Sequence, residues 1–190
     1  MAAQYYYLVS SLPGLTFSSP AALSRAAFVE ACRSQLAEPD LAEVAAVIDG
    51  RRDDLRTEAG RVWIDADRQL RNAIVRQRAL RLGVDEKKHL KEHQGFRVDA
   101  EDAVSDAFSR ANPLERELAL DRFRWNLAEE LALSDPFGLP AVLAYAVKLE
   151  INEHWQSLTA EKGRDRLEEM LEVVGVSSEE AAGWGGLAQL

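Results

Sequence analysis

Residues 60–82 read GRVWIDADRQLRNAIVRQRALRL and are followed by Gly83. Trp63, Ala66, Leu70, Ala73 and Ile74 recur at i, i+3 and i+4 spacing, the signature of one apolar helical face. The stretch spans roughly six helical turns. Gly83 suits the left-handed residue that closes a helix. Arg61, Arg68, Arg71 and Arg78 fall roughly opposite the apolar face. A helix this long with one apolar side buries that side against other helices, so the fold is read as mainly α.

The segments downstream agree. Residues 84–98 are polar, with Gly95, and read as a loop or short helix. Asp99 to Arg110 reads as a short acidic helix. Asn112-Pro113 is an N-cap followed by Pro at the first helical position, where its missing N–H costs nothing. The helix it opens runs to about Leu133. Leu114, Leu118 and Trp125 form one apolar side of it, and Leu120, Phe123, Leu127 and Leu131 another, as expected of a helix between other helices. Residues 134–138 form a turn. A long helical region follows from Leu139 to about Val174. Leu143, Val147, Ile151, His154 and Leu158 share one face. Leu167, Met170, Leu171 and Val174 share another, which predicts a break at Gly163. Residues 177–190 read as a flexible tail unless Trp184 finds a pocket.

Upstream, Glu38-Pro39-Asp40 opens a helix through Leu41, Val44, Ala45 and Ile48 that stops at Asp49-Gly50. Ser24 is an N-cap for a helix bearing Phe28, Ala31, Cys32 and Leu36. Residues 4–9 are β-prone and closed by Ser10-Ser11-Leu12-Pro13-Gly14, which predicts an edge strand or extended segment. The architecture expected is a multi-helix, bundle-like domain with a strand-like N-terminal segment and a broken long C-terminal helix. It forms a single helical domain or two lobes, about 1–98 and 99–176.

With 190 residues, 47% apolar, the chain is long enough for a substantial core. No run of 18 apolar residues occurs. The N-terminus lacks the basic region that precedes the apolar stretch of a secretion signal, so a cytoplasmic protein is expected. The one cysteine, Cys32, excludes an internal disulfide and a Cys-rich zinc module. Net charge is −9, against the basic footprint of a nucleic-acid binder. Charge is uneven: residues 51–97 are net +5 and residues 98–190 net −11. This suits a protein oriented between two partners, or a solvated basic helix beside acidic ones.

Signatures of chemistry are few. The chain carries neither a Gly-rich phosphate loop nor a nucleophile elbow, and no cofactor is expected. His89 and His93 have the i, i+4 spacing of a zinc helix, but Leu90 stands where the general-base Glu belongs and three lysines surround the pair. Glu86 and His89 make a single Glu-x-x-His, whereas a di-metal centre needs two. No metal is expected. His154, with Glu150 four residues earlier to accept its N–H, reads as a structural histidine. Cys32 reads as a small core residue. The arginine face either docks an acidic partner or phosphate groups, or is a solvent face with pairs such as Asp67–Arg71 and Asp65–Arg68. Arg122 and Arg124, flanking Phe123, suggest an interhelical salt bridge. In Tyr5-Tyr6-Tyr7, alternate rings are expected to enter the core and Tyr6 to stay outside, where it is a candidate interface anchor.

Two segments carry a resemblance. One is Tyr5-Tyr6-Tyr7-Leu8-Val9-Ser10-Ser11-Leu12-Pro13. The other begins at Arg122-Phe123-Arg124-Trp125, runs through Glu130-Leu131, Phe137-Gly138-Leu139 and residues 143–149, and ends at His154-Trp155. The chain resembles an uncharacterised bacterial family of this length whose members are encoded with V-type (A/V-type) ATPase subunits. That family looks like a shortened counterpart of the ATPase C (d) subunit, an all-helical adaptor between the central shaft and the membrane rotor ring. The resemblance implies a non-catalytic coupling subunit, peripheral to the membrane only through the complex. Its expected partners are the central-shaft and rotor-ring subunits, with Arg61, Arg68, Arg71, Arg78 and Tyr6 as candidate contacts. The C subunit is longer and built of three similar parts, and no threefold repeat is visible here. The alternatives are a generic cytoplasmic helical interaction module, or an enzyme built on His89, His93 and nearby acids.

Overall fold

The computed structural model describes residues 3–158. Among them are seven α-helices and no strand: α1 Tyr6–Ser11, α2 Arg25–Gln35, α3 Glu38–Ile48, α4 Glu58–Leu82, α5 Val98–Ser109, α6 Pro113–Ser134 and α7 Leu139–Ser157, with a 3-10 turn at Arg52–Asp54. The expected break at Gly163, the face formed by Leu167, Met170, Leu171 and Val174, and the tail around Trp184 lie outside the described residues. The described residues up to Glu153 belong to one compact unit, and those from His154 onward to another. The charge change near residue 98 coincides with the start of α5.

Local rules place most of the helix ends. The Ser24 hydroxyl accepts from the Ala27 N–H at 3.3 Å, and Asn112 Oδ1 accepts from the Leu114 N–H at 2.9 Å. Pro39 and Pro113 sit in the first turns of α3 and α6. Gly83 closes α4 at φ +66°, which only glycine adopts without strain.

The start of α4 is built from three segments. Glu43 of α3 is buried, and its carboxylate accepts from the Thr57 N–H at 3.1 Å and the Thr57 hydroxyl at 2.9 Å. The Arg56 N–H donates to it as well. Thr57 Oγ1 in turn accepts from the Gly60 N–H at 3.1 Å.

The N-terminal run is helical, not strand-like. A lone strand needs a partner for its ladder, and none exists among the described residues. The run instead closes local i→i+4 bonds, such as Val9 N–H to Tyr5 C=O. Helical spacing also changes which rings are buried. Tyr5 and Leu8 are buried, Tyr6 is 55% exposed and Tyr7 is 88% exposed. The alternation expected of a strand would have buried Tyr7. The Tyr5 N–H donates to the Phe137 carbonyl at 2.6 Å, tying the segment to the α6–α7 turn.

Helices α4, α5 and α6 pack on one another around Leu70, Ala73, Ile74, Val104, Ala107, Phe108 and Leu120. α7 is buried continuously from Val142 through Val147 and again at Leu149, so it is enclosed on most sides. Phe28 of α2 meets Tyr145 of α7 with ring centroids 5.0 Å apart. Trp125 of α6 receives Phe17 edge-on at 5.5 Å and Lys148 of α7 over its ring at 5.2 Å.

Four core assignments need correction. Leu158 follows the end of α7 and is exposed. Leu114 and Leu118 are exposed, and the buried positions of α6 begin only at Leu120. His154 is exposed and stacks edge-on against Trp155 at 5.8 Å. Glu150, its expected acceptor, is engaged by Arg52 instead.

Candidate interaction surface

The four α4 arginines do not share one environment. Arg71 lies at the flank of the buried face, with its Nε 2.8 Å from Oδ2 of Asp67. Asp67 is fully buried. Arg124 of α6 approaches its Oδ1 to 3.5 Å and Arg52 of the 3-10 turn its Oδ2 to 3.9 Å. Neither Asp67 oxygen meets an aligned N–H, so the carboxylate is held by charge and close contact rather than by linear hydrogen bonds. The outer ends of these guanidinium groups are held too. Arg52 reaches Glu150 of α7 at 3.1 Å, and Arg124 reaches Asp121 at 2.5 Å. Burial lowers the pKa of Arg71 from its ordinary value; Asp67 opposes this, while Arg52 and Arg124 add to it.

The Asp67–Arg71 pair expected on a solvent face therefore joins a buried acid to an arginine that is still partly exposed. Arg124 makes the interhelical bridge anticipated for the Arg122–Arg124 pair, while Arg122 lies over the Phe17 ring at 3.8 Å.

Arg68 bonds Asp53 at 2.7 Å and the Glu92 carbonyl at 3.3 Å, rather than Asp65. It lines a polar depression of about 400 Å³ with Arg52, Arg56, Arg61 and His93, among Asp53, Asp65 and Glu92. The carboxylate of Asp53 accepts hydrogen bonds from Arg68 and Lys91, which hold its pKa below the usual range. Arg56 donates to the Asp53 and Leu55 carbonyls. Arg61 is exposed at the rim, with no ion pair among the described residues. Arg78 lies 17 positions along α4, roughly 25 Å away, and is 3.9 Å from Glu117. Tyr6 stacks on Phe137 at 4.9 Å. Of the five candidate contacts, the structure brings Arg61 and Arg68 together. Arg71 pairs with the buried Asp67 instead, and Arg78 and Tyr6 line neither that depression nor its rim.

The remaining candidates are placed as follows. His89 and His93 lie in the non-helical segment between α4 and α5, so their i, i+4 spacing does not align them on a helix. Among the described residues, no group of three His, Cys, Asp or Glu side chains is placed to hold a metal ion. Cys32 is buried, and that burial pushes its thiol up to about 12. No helix among the described residues is long and apolar enough to cross a membrane.

Residues 99–176 match the family described as a protein of unknown function, DUF2764. The matched segment supplies nearly all of α5 and all of α6 and α7, with the whole of the second segment of the resemblance. The arginine-bearing α4 lies outside it. No curated protein and no solved structure matches the chain.

Proposed function

We propose that this chain is a non-catalytic helical coupling subunit of a V-type ATPase, holding central-shaft and rotor-ring subunits in the manner of the C (d) subunit. The association with the ATPase rests on the sequence resemblance. The observation that carries the mechanical part of the reading is the charge network at Asp67. One buried carboxylate faces arginines from α4, the 3-10 turn and α6, and Arg52 extends the network to α7 through Glu150. Polar groups used this way brace helices against one another, and a part that passes on torque needs that stiffness. The arginine depression, with Arg61 free at its rim, offers an acidic partner a docking point whose contribution weakens with salt.

Co-expression of the full chain with the central-shaft and rotor-ring subunits of the same organism tests the reading. Recovery of a complex that Arg61→Glu weakens at least tenfold, with an unchanged melting temperature, is the expected result. No co-purification with either subunit, at low and at moderate salt, would overturn it.

A further inference from the structure

A second concave surface lies between α4 and α6, and its two walls have matching patterns. Ala59, Val62, Trp63 and Ala66 line it from α4, and Leu127, Glu130, Leu131 and Ser134 from α6. Each set has i, i+3, i+4, i+7 spacing, so each wall is one stripe of a helix. Two cavities, of about 490 and 180 Å³, share Val62, Leu131 and Ser134 and so form one groove. Its α4 wall is roughly 12 Å long, or two helical turns. Ala59, Ala66 and Ser134 are small enough to admit a third helix at the usual 8–10 Å interaxial distance.

The groove is mostly apolar, with the Arg97–Glu130 ion pair at its narrower end, and the described residues leave it unfilled. Val62 of the α4 wall is 56% exposed although it faces an apolar groove. Trp63 is almost fully buried, yet its indole N–H has no acceptor among the described residues. The wider end carries Asp40, Glu58 and Asp135. Asp40 accepts from the Tyr5 hydroxyl and Asp135 from Gln4 at 2.9 Å, both neutral donors. None of the three has a cationic partner among the described residues, whereas most of the described arginines are paired.

We infer that this groove docks an amphipathic α-helix of a partner protein, with apolar side chains between α4 and α6 and a Lys or Arg at the Asp40–Glu58–Asp135 end. Two helical walls with an apolar floor select a helix. Three carboxylates lacking a counter-charge select its basic flank. The inference concerns a surface distinct from the arginine depression and holds whether or not the partners are ATPase subunits.

The test uses fluorescein-labelled 16-residue helix-forming peptides with a Leu/Ala stripe. Their flanks carry Lys/Arg, Gln or Glu, and binding to the full chain is followed by anisotropy. Lys/Arg-flanked peptides are expected to bind at least tenfold more tightly than Glu-flanked ones. Glu58→Gln should narrow that difference, and Val62→Arg should abolish binding while circular dichroism and melting temperature stay unchanged. Equal affinity for all flanks, or no binding at millimolar peptide, would overturn the inference. So would a dimer of this chain that Val62→Arg dissociates in sedimentation, because a second copy would then fill the groove.

Discussion

Gly60 of α4 lies so close to Glu43 of α3 that a methyl group at position 60 would sit 2.1 Å from Glu43 Oε2. That carboxylate oxygen is fixed by the Thr57 hydroxyl, while its mate accepts from backbone N–H groups. The neighbour therefore has little freedom to retreat. Gly60→Ala is expected to destabilise the protein by about 1–3 kcal/mol, although alanine is the better helix former by about 1 kcal/mol. In urea titrations, the loss should be smaller in a Glu43→Ala background. Strictly additive losses would mean the two side chains do not collide.

Removing the central acid has a larger effect. Asp67→Ala strands Arg52, Arg71 and Arg124 around an uncompensated site, and such losses run to about 3–5 kcal/mol. Arg78→Ala, at an exposed pair 3.9 Å long, is expected to change stability by less than about 0.5 kcal/mol. Denaturant midpoints of the two variants check the contrast. Similar midpoints would place Asp67 in contact with water.

Stability should fall at alkaline pH. Burial, aided by the hydrogen bond to Asp40, pushes the Tyr5 phenol up to about 12, and burial alone pushes the Cys32 thiol up to about 12. The unfolded chain gives up these protons from about pH 9 upward, while the native chain keeps them. Stability is thus fully present below pH 9 and lost as pH rises toward 12. A Tyr5→Phe, Cys32→Ala variant should show a flatter decline between pH 8.5 and 10.5, whatever its starting stability. An unchanged slope would assign the alkaline limb to other groups.

Trp125 is buried, donates to Glu129 at 2.8 Å and holds Phe17 and Lys148 against its ring. Trp125→Ala is expected to cost about 3–5 kcal/mol. A loss below about 1 kcal/mol in chemical denaturation would mark an exposed, interface-facing ring.

The helices that obey local rules were legible in the sequence. Ser24, Asn112-Pro113 and Gly83 mark ends because capping and left-handed closure depend only on nearby residues. Tyr5-Tyr6-Tyr7 misled because β-prone side chains do not reveal that no partner strand exists. Asp67 was legible as a partner for Arg71, but not as buried, because Arg52 and Arg124 come from distant parts of the chain. The α4–α6 groove was hidden for a related reason: Val62 and Ala59 lie beside the core stripe and gain meaning only once α6 lies alongside. His154 continues the apolar stripe of α7 in spacing, but it is exposed.

The lone acid shared by three arginines also governs how the molecule comes apart. Water reaches Asp67 only if neighbouring segments part, and each departure leaves the others facing naked charge in a poorly polarisable interior. Partial opening is thereby penalised from several sides at once. Amide protons of α4 and α6 should accordingly exchange at a common, global rate, like a lock whose bolts withdraw together or not at all.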